Sequence, residues 1–322
     1  MDYTTLGRTG LRVSVAGLGC GGFSRLGLGT GKSEAEAIGI IRAALDLGVN
    51  LFDTAYAYGT ETVLGKALAG VRREDIVICT KAPFSLNRTH EAERIVASLE
   101  ASLKALGTDY IDVYQLHGVA PGGYEHAFRV LAPVLLREKE KGRIRHLGIT
   151  ETAPGDPDHA MVQRAIRDGV WDVMMIAFHM MHQNARRLVF PLTLEHRIGT
   201  LMMFAVRNIF SRPERLAATM RELAAAGEVP RELADSLEPL GFLVHPGGAS
   251  SLQDAAYRFV RHEPGVDVVL FGTGDPAHLR TNIASILKPP LPESDRRRLA
   301  ELFGGLAGVG LDAPHLPPQP RV

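Results

Sequence analysis

The sequence predicts an α/β protein whose eight parallel strands close into a (β/α)8 TIM barrel, with an N-terminal β-hairpin and extra C-terminal helices. Short β-branched runs alternate with longer amphipathic stretches from Val13 onward, the pattern of a parallel sheet wrapped in helices. The strand candidates number eight, and the intervals between them leave no room for a second domain. With 322 residues and 45% hydrophobic content the chain can fill such a core, so 1–322 reads as a single barrel domain.

The opening residues, 1–15, turn through Gly7 and Gly10 around a basic tip and read as a hairpin placed to plug the bottom of the barrel. Strands are expected at 13–19, 50–53, 76–80, 110–116, 144–149, 173–178, 199–204 and 266–271. Helices are expected near 33–48, 60–70, 89–106, 124–141, 157–168, 184–197, 212–226 and 251–262, with another near 276–287 after the last strand. Ser33 followed by Glu36 is a capping box, and Thr89 precedes an Ala-rich stretch flanked by Glu and Arg. The segment 227–250 carries Pro230, Pro239 and Pro246 and is long enough to hold a short helix of its own. The proline-rich tail 312–322 is read as irregular, lying over the barrel mouth.

Thirty-six basic residues balance thirty-six acidic ones, so nothing in the charge points to nucleic acid or an anionic membrane. The expected partner is a small molecule. Two cysteines, Cys20 and Cys79, suit a reducing compartment, and the N-terminus carries no targeting pattern, so the expected location is cytoplasmic.

Active sites of such barrels are built at the C-terminal ends of the strands. The second strand ends at Asp53, the third runs into Lys81 and the fourth into His117; Tyr58 follows Asp53 by five residues on the next loop. Singly each has a bland reading: a loop cap, a solvent-facing lysine, a satisfied core histidine. On consecutive strand ends they converge. The set supports proton transfer, with Lys81 lowering the pKa of the Tyr58 phenol, Asp53 holding Lys81 charged and His117 orienting a carbonyl. None of the four supplies a hydride, so carbonyl reduction requires a cofactor.

The stretch Gly48-Val-Asn-Leu-Phe-Asp53-Thr-Ala-Tyr-Ala-Tyr58-Gly59, Lys81 after a strand, and Gln115-Leu116-His117 resemble the signatures of the aldo-keto reductase superfamily. So do Gly17-Leu-Gly-Cys-Gly-Gly, Lys141-Gly-Arg-Ile-Arg-His-Leu-Gly-Ile149, and Gly272-Thr-Gly-Asp-Pro followed by Asn282. The resemblance implies an NAD(P)H-dependent reductase of aldehydes or ketones, or the reverse oxidation of a sugar-like alcohol. It implies Asp53, Tyr58, Lys81 and His117 as catalytic residues, Tyr58 being the proton donor. It further implies NADPH, with NADH possible, held by Gly22, Phe23, Asp53, Thr150, Phe204, Arg207, Asn208, Gly272, Thr273, Gly274, His278 and Asn282. Thr150-Glu151 stands where the family commonly has Ser-Asn, and Met175 where it commonly has Gln. Gly272 and His278 stand where many NADPH-specific members place Lys or Arg.

Gly17 to Gly22 also satisfies G-x-G-x-x-G, but ten residues separate it from the capping Ser33, so no helix opens at its last glycine. Gly27 and Gly31-Lys32-Ser33 have three intervening residues where a P-loop needs four. His179-Met-Met-His182 lacks the accompanying acid and third ligand of a metal site, and the methionines at 174, 175, 180, 181, 202 and 203 read as core filling and pocket wall; no metal is expected. Two alternatives differ in class: a barrel enzyme forming a Schiff base on Lys81, and a non-enzymatic subunit sensing nicotinamide nucleotides. The loops 118–124 and 207–213, with 227–250 and the tail, are expected to set substrate size.

Overall fold

The computed structural model describes residues 1–85 and 91–311. Strands β1 (Tyr3–Thr5) and β2 (Arg12–Ser14) pair antiparallel across a 3-10 turn, Gly7–Thr9. Eight parallel strands follow: β3 (Ala16–Gly19), β4 (Leu51–Asp53), β5 (Val77–Pro83), β6 (Ile111–Val119), β7 (Ile144–Glu151), β8 (Val173–Ala177), β9 (Gly199–Met203) and β10 (Val268–Phe271). They lie in sequence order, and β10 closes the barrel by pairing with both β9 and β3. Strands of this kind are covered on both faces, which is why they read as nearly continuous apolar runs; every residue of β8 is buried.

The run expected at 13–19 divides at Val15. Val13 belongs to the hairpin and Ala16 to the barrel, and Ser14 makes the corner: its Oγ donates to Ala16 O at 2.8 Å, while its N–H donates to Asn50 Oδ1 at 2.6 Å. The hairpin closes the bottom of the barrel as expected. Leu6 is wholly buried against Val13, Leu51, Val77 and Leu201. Gly7 sits at φ +48°, and a Cβ there would stand 2.1 Å from the Gly199 backbone nitrogen, so the turn approaches β9 more closely than any side chain permits. Arg8 ties the plug down through Asp172 Oδ1 at 3.1 Å.

Helices occupy the expected intervals, with two internal differences. The one expected over 124–141 contains a π turn, Ala127–Leu131, just before Ala132–Glu140; Pro133 has no N–H to continue the regular ladder. The one expected over 184–197 breaks into Ala185–Leu188 and Phe190–Glu195, with Pro191 at the restart. Ser33 and Glu36 form the capping box of Glu34–Asp46. The segment 227–250 holds a short helix, Arg231–Asp235, and a 3-10 turn, Gly241–Leu243. Among the described residues two helices follow the last strand, Pro276–Leu287 and Glu293–Phe303. The helix start at Thr89 and the tail 312–322 lie outside the described residues. Among those described, no helix is long and apolar enough to cross a membrane.

Candidate active site

Side chains alternate across a strand, so Leu51 and Asp53 on β4, Cys79 and Lys81 on β5, and Val113, Gln115 and His117 on β6 share the inner face. Leu51, Cys79 and Val113 pack together in the barrel interior, which places the polar members one layer above, at the C-terminal end. Lys81 lies opposite Gln115 in the ladder, and Pro83 opposite His117. Lys81 is fully buried, and its ammonium donates to Asp53 Oδ2 and to the Thr54 carbonyl, both at 2.7 Å. Gln115 Nε2 donates to the other carboxylate oxygen, Asp53 Oδ1, at 3.3 Å.

Tyr58 reaches the same layer from the 3-10 turn Tyr56–Tyr58, which ends on Gly59 at φ +69°. Its hydroxyl lies 3.3 Å from His117 Nε2, the two rings meet edge-on at 5.4 Å, and the Lys81 ammonium stands 5.1 Å from the phenol ring centre. Gly21 permits this placement, since a Cβ there would fall 2.3 Å from Tyr58 Cε2.

Burial pushes the Asp53 carboxyl above its ordinary value, and Lys81 and Gln115 pull it back only in part. For Lys81, burial opposes the ammonium, but Asp53 and Tyr58 favour it and the net displacement is upward. Burial raises the Tyr58 phenol as well. Lys81 acts downward on it, as expected from the sequence, but burial outweighs that pull and the net shift is up, so the phenol stays protonated at neutral pH. His117 is pushed down to about 3, by burial first and by Lys81 second, so its imidazole is neutral over the working range.

Of the four groups, Asp53 and Tyr58 line a cleft of about 380 Å3, while Lys81 and His117 stand behind them. Gly19, Gly22 and Phe23 form one wall, Phe204, Arg207 and Asn208 the other, with Asp53, Tyr58, Met175 and Gly272 also exposed to it. Phe204 holds a left-handed backbone, φ +73°, and the Arg207 guanidinium lies 3.9 Å from its ring centre. Gly19 and Gly272 approach closely on the cleft floor, where a Cβ on Gly272 would meet Gly19 O at 3.2 Å. An aromatic wall, glycine backbone and an arginine beside an acid–base pair are a donor set that fits a nicotinamide dinucleotide.

Other expected contacts lie apart from this cleft. Thr150 is buried and its Oγ1 accepts from Gly118 N at 2.7 Å. Thr273 is buried, with its Oγ1 accepting from Asp275 N at 3.0 Å, and the Gly274 carbonyl accepts from Lys32 Nζ at 2.7 Å. The Asp275 carboxylate accepts from Ala277 N and His278 N, so the first N–H groups of Pro276–Leu287 are already capped. On that helix the His278 side chain is exposed and Asn282 half-buried. Glu151 is committed elsewhere: Oε1 accepts from Ala177 N at 2.7 Å and Oε2 pairs with His159 Nδ1 at 2.8 Å, both side chains wholly buried.

The motifs set aside in the sequence have structural explanations. A Cβ on Gly17 would meet Leu51, Val268 and Leu270 within the barrel, so that glycine serves packing. His179 and His182 are buried and bridge each other as a short turn, His179 Nδ1 accepting from Met181 N and His182 Nδ1 from Gly308 N. Gln115 was given no role from sequence, although its place two residues before His117 puts it on the inner face. Gly21 was read only as part of a glycine motif; no pattern there announces a contact with Tyr58.

A closed parallel barrel with ionisable side chains gathered at the C-terminal mouth defines a barrel enzyme. The family model described as "Aldo/keto reductase family" matches residues 17–303, and the chain belongs to that family of oxidoreductases. It is 28% identical over 296 residues to the aldo-keto reductase YhdN of Bacillus subtilis, covering 87% of each chain. It is 34% identical over 157 residues to an L-galactose dehydrogenase of Arabidopsis thaliana, about half of either protein (47% and 48%). The holo form of aldo-keto reductase AKR11C1 from Bacillus halodurans superposes with a TM-score of 0.71 at 25% identity, covering 94% of this chain and 96% of that one.

Proposed function

We propose that the protein reduces an aldehyde or ketone with NAD(P)H, Tyr58 delivering the proton, and that 1–322 acts as one cytoplasmic barrel domain on a small-molecule substrate. The observation that carries the reading is the Tyr58 hydroxyl at 3.3 Å from His117 Nε2, with its ring centre 5.1 Å from the Lys81 ammonium that pairs with Asp53 and its side chain lining the cleft. When bound, the cofactor supplies the hydride. The chain's own residues do the rest: Tyr58 and His117 hold the carbonyl oxygen between them, Tyr58 gives up its proton as charge develops there, and the buried ammonium of Lys81 stabilises the phenolate left behind. In oxidation the phenolate takes the proton back. The half-length similarity to an enzyme named for L-galactose favours a sugar-like alcohol in that direction.

Phe204, Arg207, Asn208, Gly22, Phe23 and Gly272 are the residues we assign to cofactor contacts in the cleft, with Thr150, Thr273, Gly274, His278 and Asn282 in supporting positions; NADPH is the first cofactor to test and NADH the second. A Schiff base on Lys81 is disfavoured because the nucleophile must be a neutral amine, while Asp53 and Thr54 hold an ammonium. The test is a fluorescence titration with NADPH and NADH, followed by turnover of an activated aldehyde. Binding of one cofactor and a loss of roughly 100-fold or more in kcat for Tyr58→Phe are expected. Binding without turnover of any carbonyl would favour the nucleotide-sensing alternative; no binding would overturn the reading.

A further inference from the structure

We propose that Gln115 is a positioning residue of this site, its amide holding the Asp53 carboxylate in place for Lys81. The inference rests on the reductase reading above. Gln115 is fully buried between Lys81 on β5 and Gly148 on β7, its partners across the two ladders. The Asp53 carboxylate is thereby gripped at both oxygens, Oδ2 by Lys81 at 2.7 Å and Oδ1 by Gln115 Nε2 at 3.3 Å.

Two features indicate that the amide is kept for this bond and not for packing. Gln115 Oε1 is buried with no hydrogen-bond partner among the described residues, a cost that an apolar side chain of the same length avoids. The space for the side chain is made by a glycine. A Cβ on Gly148 would stand 2.6 Å from Gln115 Cγ and 3.2 Å from both Val113 Cγ1 and the Val173 carbonyl. Glycine weakens a strand interior, so two unfavourable choices on neighbouring strands accommodate one amide.

The groups acting on Asp53 are Lys81 and Cys79 from β5, Cys20 from the end of β3, Tyr58 from its loop, and Gln115. Burial raises both thiols, so they stay neutral, and among the described residues Lys81 and Gln115 are the two side chains that hydrogen-bond the carboxylate. Without the Gln115 donor, the carboxyl takes up a proton at higher pH and its plane is free to turn. Lys81 then loses its charged partner and keeps only the Thr54 carbonyl to hold it near Tyr58.

The test uses full-length protein carrying 13Cγ-labelled aspartate, with Asp53→Asn to identify the Asp53 signal. In Gln115→Met the carboxyl midpoint is expected to rise by about one pH unit, and Gln115→Asn, whose shorter amide withdraws from Asp53, should move it the same way. The acid limb of kcat/KM should follow, kcat should fall with cofactor affinity unchanged, and the thermal midpoint of Gln115→Met should equal or exceed that of wild type. An unchanged carboxyl titration in both variants overturns the proposal, as does a large fall in the melting temperature of Gln115→Met without a change in titration. If the carboxyl shifts while wild type reduces no carbonyl, the coupling of Gln115 to Asp53 holds and the reductase reading is what fails.

Discussion

Tyr58 owes its position to residues that carry no chemistry. Its turn ends on Gly59, its ring lies against the bare backbone of Gly21, and its hydroxyl is aimed at His117. A methyl group on Gly21 would overlap the ring at 2.3 Å, and because the ring is only partly buried, with one side on the cleft, it has room to swing away. Gly21→Ala should therefore fold with little change in melting temperature and lose activity through kcat, since misplacing a reacting group by about 1 Å costs on the order of 100-fold. Parallel measurement of kcat and thermal stability checks this; wild-type kcat would show that the contact does not position the phenol. The neutral His117 makes the pair suited to a neutral carbonyl oxygen, because both partners can offer a hydrogen bond without either bearing charge beforehand.

At the scale of elements, the ends of β7 and β8 are joined through Glu151, which also forms a buried ion pair. Glu151 closes β7, accepts the Ala177 amide at the end of β8, and pairs with His159, whose Nε2 lies 3.0 Å from Asn184 Oδ1. Burial opposes a charge on His159, but Glu151 and Asn184 overcome it and raise its pKa above the ordinary value. A histidine whose folded pKa is raised stabilises the protein fully below its unfolded pKa, about 6.5, and that contribution is lost as pH rises through the folded value. Glu151→Gln should cost about 3–5 kcal/mol near pH 6 by leaving a buried partner unmatched, with a smaller penalty at alkaline pH. Urea unfolding across pH checks both the size and the slope; a pH-independent difference would show that His159 is not charged in the fold. The same pair explains why Glu151, read from sequence as a departure in the cofactor site, is absent from the residues lining the cleft.

For the whole molecule, the barrel was legible because parallel strands buried on both faces leave apolar runs, and all eight runs became strands. Their ends were less legible. β5 and β6 extend past Lys81 and His117, to Pro83 and Val119, because polar residues at a strand's C-terminal end look like loop in sequence while the ladder continues beneath them. Asp53, Tyr58, Lys81 and His117 were visible as residue types at strand ends and do meet in one layer. The roles of Gln115, Gly148 and His159 depend on which strand lies beside which and on a left-handed backbone at His159, φ +55°, and neither leaves a local pattern.

The central claim is that this cleft brings a hydride and the Tyr58 proton together on one carbonyl. Incubating the protein with an activated aldehyde and NADPH deuterated at C4, in separate runs for each face of the ring, tests it most directly. Deuterium is expected on the carbinol carbon from one face only, at a rate cut roughly 100-fold or more by Tyr58→Phe with cofactor binding retained. Product lacking the label, or equal rates for the two proteins, would contradict it.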